Sequence, residues 1–248
     1  MKTLKVLSAL LTYPSAEILA AGGDMKAVLA REGVMPKPHV AALAGVIDVF
    51  AASDLIELQE RYTFLFDRTR SLSLHLFEHV HGESRDRGQA MVDLIALYEA
   101  GGFSPTATEL PDYLPLFLEY ASTREPAEAI ELIGQPAHVF AALHERLMKR
   151  DTPYASVFAA LLALTKAKLD AAALAALRAE PDPEPDDLAA LDAAWEEEEV
   201  LFGPGAAACG KDSIISKVRQ AQRPAPGLES QTPTGPRTSI TTSRPPRA

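Results

Sequence analysis

Residues 75–103 read HLFEHVHGESRDRGQAMVDLIALYEAGGF. Met91, Leu94, Ile95 and Tyr98 recur at spacings of three and four, the period of one helix face and not the alternation of a half-buried strand. Ser84 stands where an N-cap is wanted, and Gly101-Gly102 stops the run. The same period extends in both directions. Leu4, Leu7, Leu10 and Leu11 share a face; so do Val40, Leu43, Ala44, Ile47 and Phe50, and again Leu55, Leu58, Tyr62 and Leu65. Pro136 opens PAHVFAALHERLMKR at a position that a first helical turn tolerates. TPYASVFAALLALTKAKLDAAALAALRAE, residues 152–180, is rich in the strongest helix formers and predicts one long helix, stopped by PDPEP at 181–185. DDLAALDAAWEEEEVLFG predicts one more acidic helix, with Trp195 as its core anchor. No segment reads as a strand, and the fold class expected is all-α.

The composition sets limits. Hydrophobic residues are 47% of 248, enough to fill a sizeable core. The one cysteine, Cys209, allows no disulfide within the chain and no thiolate metal cluster. No run approaches the roughly 18 apolar residues of a membrane span, so stable membrane insertion is not expected. Lys2 and Lys5 precede an apolar stretch as in a signal peptide, but Thr12, Tyr13 and Pro14 interrupt it, and a first core helix is expected there.

The net charge of −10 is uneven. Residues 203–248 hold seven basic and two acidic residues, a net +5, which leaves −15 for residues 1–202. The acidic body repels nucleic acid and attracts basic segments. The basic segment interleaves no aromatic residue, so nucleic acid is not an expected partner. Rich in Pro, Ser, Thr and Arg, it lacks the apolar surface to offset ordering entropy and is expected to be disordered. The domain division is therefore 1–202, a helical body, and 203–248, a tail in which SIISKVRQ is suited to becoming helical on a partner.

Three clusters carry candidate chemistry. HLFEH at 75–79 matches H-x-x-E-H, with His75 and His79 four apart on a helix and Glu78 beside them, the arrangement of an inverted zinc hydrolase. The third ligand such a site needs has no second motif to supply it, since Glu119, Glu128, Glu131 and Glu145 are the spare glutamates of any acidic helical protein. In HGESRDRG, Glu83 and Asp86 suit a helix N-terminus, whereas Arg85 and Arg87 stand where the dipole repels them, which points to carboxylate partners across the fold or to a ligand. In ELPDYLPLFLEYAS, Pro115 allows a helix to begin near Asp112, and Tyr113, Leu116, Phe117 and Tyr120 form an aromatic stripe, either core or a groove for a peptide helix. Phosphate loops, GxGxxG and GxSxG elbows are absent from the sequence.

The run 75–103, with LLTYPS at 10–15, LPDYLPLFLEY at 110–120 and LDAAWEEEEVLFG at 191–203, resembles the NarJ-type chaperones of respiratory nitrate reductase, relatives of the TorD-like molybdoenzyme chaperones. The resemblance covers about residues 1–202. It implies a cytoplasmic, single helical-bundle binding protein, not an enzyme, with no cofactor or metal of its own. The implied partner is the immature catalytic (alpha) subunit of nitrate reductase, including its N-terminal segment as a helical peptide. That subunit is held for insertion of the molybdenum cofactor and an iron–sulfur cluster before membrane docking, and the chaperone stays out of the finished enzyme. On this reading Tyr113, Leu116, Phe117 and Tyr120 supply apolar contact, and Glu78, Glu83, Asp86 and Glu119 meet basic client residues. Arg85 and Arg87 orient those acids or contact the client, and His75, His79 and His81 make binding respond to pH. The rival from another class is the zinc-dependent hydrolase at 75–79.

Overall fold

The computed structural model describes residues 1–81, 85–104, 109–165, 167–184 and 186–189, with the side chains of His81 and Arg85 outside that set. Among the described residues there are twelve α-helices and one 3-10 turn, and no strand. The helices are α1 (Lys2–Leu11), α2 (Ala16–Ala20), α3 (Gly22–Glu32), α4 (Lys37–Ala52), α5 (Leu55–Phe66), α6 (Leu76–His81), α7 (Arg85–Ala100), α8 (Leu114–Ser122), α9 (Pro126–Gly134), α10 (Ala137–Lys149), α11 (Ala155–Leu164) and α12 (Ala171–Ala179). The 3-10 turn, Arg70–Leu72, lies between α5 and α6.

Local chemistry sets the boundaries. Asp54 caps α5 by accepting from the Ile56 N–H at 2.8 Å. Pro38, Pro115 and Pro126 sit in the first turns of α4, α8 and α9, where no intrahelical donor is missed. α7 ends at Gly101 and Gly102, the latter at φ 73°. A Cβ on Gly101 would lie 2.7 Å from the Tyr120 ring, so glycine is favoured at 101 by close packing and at 102 by the left-handed backbone.

α1 is a core helix, as its spacing predicts: Leu4, Leu7 and Leu11 are fully buried, and the helix packs on α8, α3 and α11. α10 packs on α11 and α12, and α11 on α4. An aromatic knot of Phe50, Tyr62, Phe66 and Tyr154 joins α4 and α5 to the start of α11, with ring centroids 4.9–6.4 Å apart.

The long helix expected over 152–180 is two helices. α11 stops at Thr165, whose backbone is extended, and Asp170 starts α12 by accepting from the N–H groups of Ala172 and Ala173 at 2.9 and 3.0 Å. Alanine propensity cannot hold a helix straight when the cap at Asp170 and burial of Leu174 and Leu177 against α10 favour a bend. PDPEP ends α12 as expected, but it is more than a break. Asp182 is clasped by Arg150, the residue that follows α10, at 2.8 and 3.2 Å, and accepts from Ser71 of the 3-10 turn at 3.0 Å. Burial raises the Asp182 carboxyl's pKa. The hydrogen bonds and charge of Arg150, with help from Ser71 and Arg146, outweigh it and leave the pKa below the ordinary value. The expected N-cap Ser84, the acidic helix with Trp195 and the tail 203–248 lie outside the described residues.

Candidate functional site

HLFEH does not lie on one helix. His75 precedes α6 and forms an isolated antiparallel bridge with Tyr113. The Leu114 N–H donates to the Leu74 carbonyl at 2.8 Å and the Leu76 N–H to the Asp112 carbonyl at 3.1 Å. This short pairing ties the start of α6 to the start of α8. Leu72, Leu74, Leu76 and Phe77 are buried beneath it.

Asp112 organises the cluster above that floor. It is fully buried, and a buried carboxylate must be bonded on every side. Its Oδ2 accepts from the Phe77 N–H at 3.1 Å and its Oδ1 from His75 Nδ1 at 3.2 Å. Arg87 Nη2 lies 4.0 Å from the same carboxylate and donates to Glu78 Oε1 at 3.2 Å. The arginine that the dipole of α7 disfavours thus has its carboxylates on α6 and before α8. The hydrogen bond to Asp112 holds the His75 pKa above the usual imidazole value, against burial. Glu78 and Arg87 are each 23% exposed, so the pair faces solvent while Asp112 does not.

His79 is treated in the opposite way. Its Nε2 donates to the Ser73 carbonyl at 2.8 Å, inside the fold. Burial pushes its pKa down to about 4, and the neutral ring is the folded form. The zinc reading fails on this geometry. His75 and His79 do not share a helix face, and the His75 Nδ1 and His79 Nε2 are engaged by protein acceptors. Among the described residues no group of three or more His, Cys, Asp or Glu is placed to hold a metal ion. His79 is accordingly a structural histidine, not a surface sensor.

The aromatic stripe divides. Phe117 and Tyr120 are 3% and 1% exposed, in the core, so the spacing that suggested a groove is the spacing of packing. Tyr120 stacks near Tyr98 at 4.7 Å and donates its hydroxyl to the Leu97 carbonyl at 3.2 Å. Tyr113 and Leu116 are half-buried. Tyr113 lies 5.5 Å from the His75 ring and shares a 2.9 Å hydroxyl contact with Tyr62 of α5. Asp86 is exposed at the start of α7. Glu119 is apart from the His75 cluster and pairs with Lys5 of α1 at 3.3 Å. The side chains of His81, Glu83 and Arg85 lie outside the described residues.

Two features were not legible as sites. Asp112 was read only as a helix start; its place between two prolines, just before an aromatic residue, was the available signal. The other is a groove of about 390 Å³ along the outer face of α5, lined by Tyr13, Ile56, Gln59, Glu60, Thr63, Phe64 and Arg68. Ile56 is 65% exposed and Tyr13 47%. Here α5 is apolar on a second face, opposite Leu58, Tyr62 and Leu65, and the pair Ile56 and Phe64 was the sign of it.

Among the described residues no helix is long and apolar enough to cross a membrane. Residues 35–160 match the model of the nitrate reductase delta subunit family. The chain is 41% identical over 220 residues to "Nitrate reductase molybdenum cofactor assembly chaperone NarJ" of Escherichia coli K12, covering 89% of this chain and 92% of that protein. It is 40% identical to "Probable nitrate reductase molybdenum cofactor assembly chaperone NarW" of the same strain, over 82% of this chain and 84% of the relative. A "Probable nitrate reductase molybdenum cofactor assembly chaperone NarJ" of Bacillus subtilis 168 is 34% identical over 65% and 86%. A chain that is helical and strand-free among its described residues, and that NarJ-type proteins match over most of its length, belongs to the nitrate reductase delta subunit family of NarJ-type assembly chaperones.

Proposed function

We propose that the chain is a system-specific chaperone for the immature catalytic, molybdenum-containing subunit of a respiratory nitrate reductase. It works in the cytoplasm, binds that subunit including its N-terminal segment, and keeps it open for molybdenum cofactor and iron–sulfur insertion before membrane docking. It has no catalytic role and leaves before the enzyme is complete. The observation that carries this reading is the 41% identity to a named assembly chaperone across 92% of that relative's length. The physical support is a net charge of −15 over residues 1–202, suited to a basic amphipathic peptide.

The binding surface we assign is the rim above Asp112. Glu78 and Asp86 meet basic client residues, Arg87 holds Glu78 in place, and Tyr113, Leu116 and His75 supply the half-buried contact beside them. Glu83, Arg85 and His81 belong to the same stretch of sequence, and Glu119 is a separate, peripheral acid. Residues 1–202 act as the chaperone domain and 203–248 as an appendage.

Isothermal calorimetry of the full chain against a synthetic peptide copying the N-terminal segment of the catalytic subunit from the same source tests the proposal. Saturable binding near one to one, weakened by salt, is expected. Charge reversal at Glu78 and Asp86 together is expected to weaken it about tenfold, roughly 1.4 kcal/mol. Absence of heat at several temperatures with folded protein overturns the peptide-binding reading, and unchanged affinity in the double variant overturns the surface.

A further inference from the structure

We infer that the groove on α5 is a docking site for the chain's own segment Ser213–Gln220, SIISKVRQ. The groove is an apolar surface that a solvated protein has reason to cover: Ile56, Tyr13 and Phe64 line it, with Ile56 65% exposed. Residues 54–68, which form α5 and its flanks, carry four acids, Asp54, Glu57, Glu60 and Asp67, against Arg61 and Arg68. Arg68 is drawn over the Phe64 ring, 5.7 Å from its centroid, leaving Glu60 as the acid in the lining.

The segment has matching chemistry. Of the five Ile, Leu and Val residues in 203–248, three are in it: Ile214, Ile215 and Val218. As a helix they fall on one side, with Lys217 and Arg219 beside them. The preceding acidic run at 186–199 has the wrong sign for this face.

The path of the chain points the same way. Asp182 is bonded to Ser71 in the 3-10 turn, which packs on α5, and Arg68 at the end of the groove is only three residues before Ser71. Contacts of the chain beyond α12, those of Asp182, Pro183 and Glu184, are thus made with Arg150 and with Ser71, three residues along the chain from the groove's Arg68. From Ala189 to Ser213 there are 24 peptide steps; with the acidic helix expected to residue 203 contributing roughly 20 Å and the ten residues after it a coil of roughly 16–19 Å, the reach compares with a radius of gyration of about 16 Å for a body of this size. Tethering at that distance gives an effective concentration on the order of millimolar, enough to occupy a groove of modest intrinsic affinity.

The lone Cys209, four residues before Ser213, provides the probe. A nitroxide is attached there in the full chain, and amide signals are compared with the reduced label. The expected result is loss of most of the intensity at Ile56, Gln59, Glu60, Thr63 and Phe64, with α11 unaffected, unchanged on tenfold dilution. Ile214→Asp with Ile215→Asp in the tail, or Ile56→Asp in the exposed groove wall, is expected to restore those signals. Three results would overturn the inference. Loss confined to another face or spread evenly over the body removes the site. Loss that disappears on dilution assigns the groove to a second copy. Loss that both variants leave intact shows that the tail passes nearby without docking.

Discussion

The segment Ser71–His79 runs between two polar networks, one at each end, and they are built for different work. At one end Ser71 joins Arg146, Arg150 and Asp182; Arg146 is 4% exposed and donates to the carbonyls of Ser71 and Leu177. At the other, His75, Glu78, Arg87 and Asp112 form a network whose floor is buried and whose rim is wet. His75 and His79, four residues apart, mark the difference. The first is held toward its charged form by a carboxylate, the second kept neutral by burial. A polar group closed off from solvent and fully bonded specifies one chain path. A pair left partly in water contributes little to the fold and remains able to exchange partners.

The sharpest test of that contrast is Asp112→Ala. It strips a buried acceptor from the Phe77 N–H and from His75 and leaves Arg87 one partner fewer. Breaking such a buried pair costs roughly 3–5 kcal/mol, and urea unfolding is expected to show a loss of that size. A loss below about 1 kcal/mol would mean that Asp112 does not hold α6 to α8.

Next in size is the pH response. His79 has a folded pKa of about 4, below its unfolded value, so its contribution is complete above the ordinary imidazole pKa near ~6.5 and is lost as pH falls toward 4. The shift corresponds to about 3 kcal/mol. His75 has the opposite sign: its raised pKa contributes stability below the ordinary imidazole value, lost as pH rises through the folded pKa. Urea midpoints at pH 7 and pH 5 are expected to converge for His79→Gln relative to the unsubstituted chain, and to diverge for His75→Gln. Parallel behaviour of the two variants would erase the distinction between the carboxylate-bonded His75 and the buried His79.

Asp182→Asn weakens the Arg150 clasp without emptying it, at an expected cost of about 1–2 kcal/mol, and frees the strap beyond α12. Faster hydrogen exchange at residues 177–184, with the exchange of 74–78 unchanged, checks it. Least costly is Arg87→Gln. Because Arg87 and Glu78 are partly solvated, less than about 1 kcal/mol of stability is at stake. Its effect is expected in client affinity instead, and a variant that unfolds at the same urea concentration but binds the peptide several-fold more weakly separates contact from scaffold.

What could be read in advance follows the range of the forces involved. Leu4, Leu7 and Leu11, or Leu58, Tyr62 and Leu65, declare their helices because periodicity is local. Gly101-Gly102 as a stop and Pro115 in a first turn are equally local, being facts about one residue's backbone. The bend at 165–170 was missed because alanine and leucine runs outweighed a single capping aspartate, Asp170. For Phe117 and Tyr120 the sequence leaves core and groove both open, because spacing shows that a face is apolar and not what covers it.

By itself, then, the sequence determined the helical class, most helix limits and the polarity of the body and tail, all of them sums over neighbours in the chain. Only the tertiary structure decided that His75 and Asp112, 37 residues apart, would bond, that Arg146 would reach Ser71 across 75, and that α5 would turn its second apolar face away from the packed helices. Those outcomes depend on which helix lies beside which. That is settled by packing across long sequence separations, where no periodic pattern marks the partner.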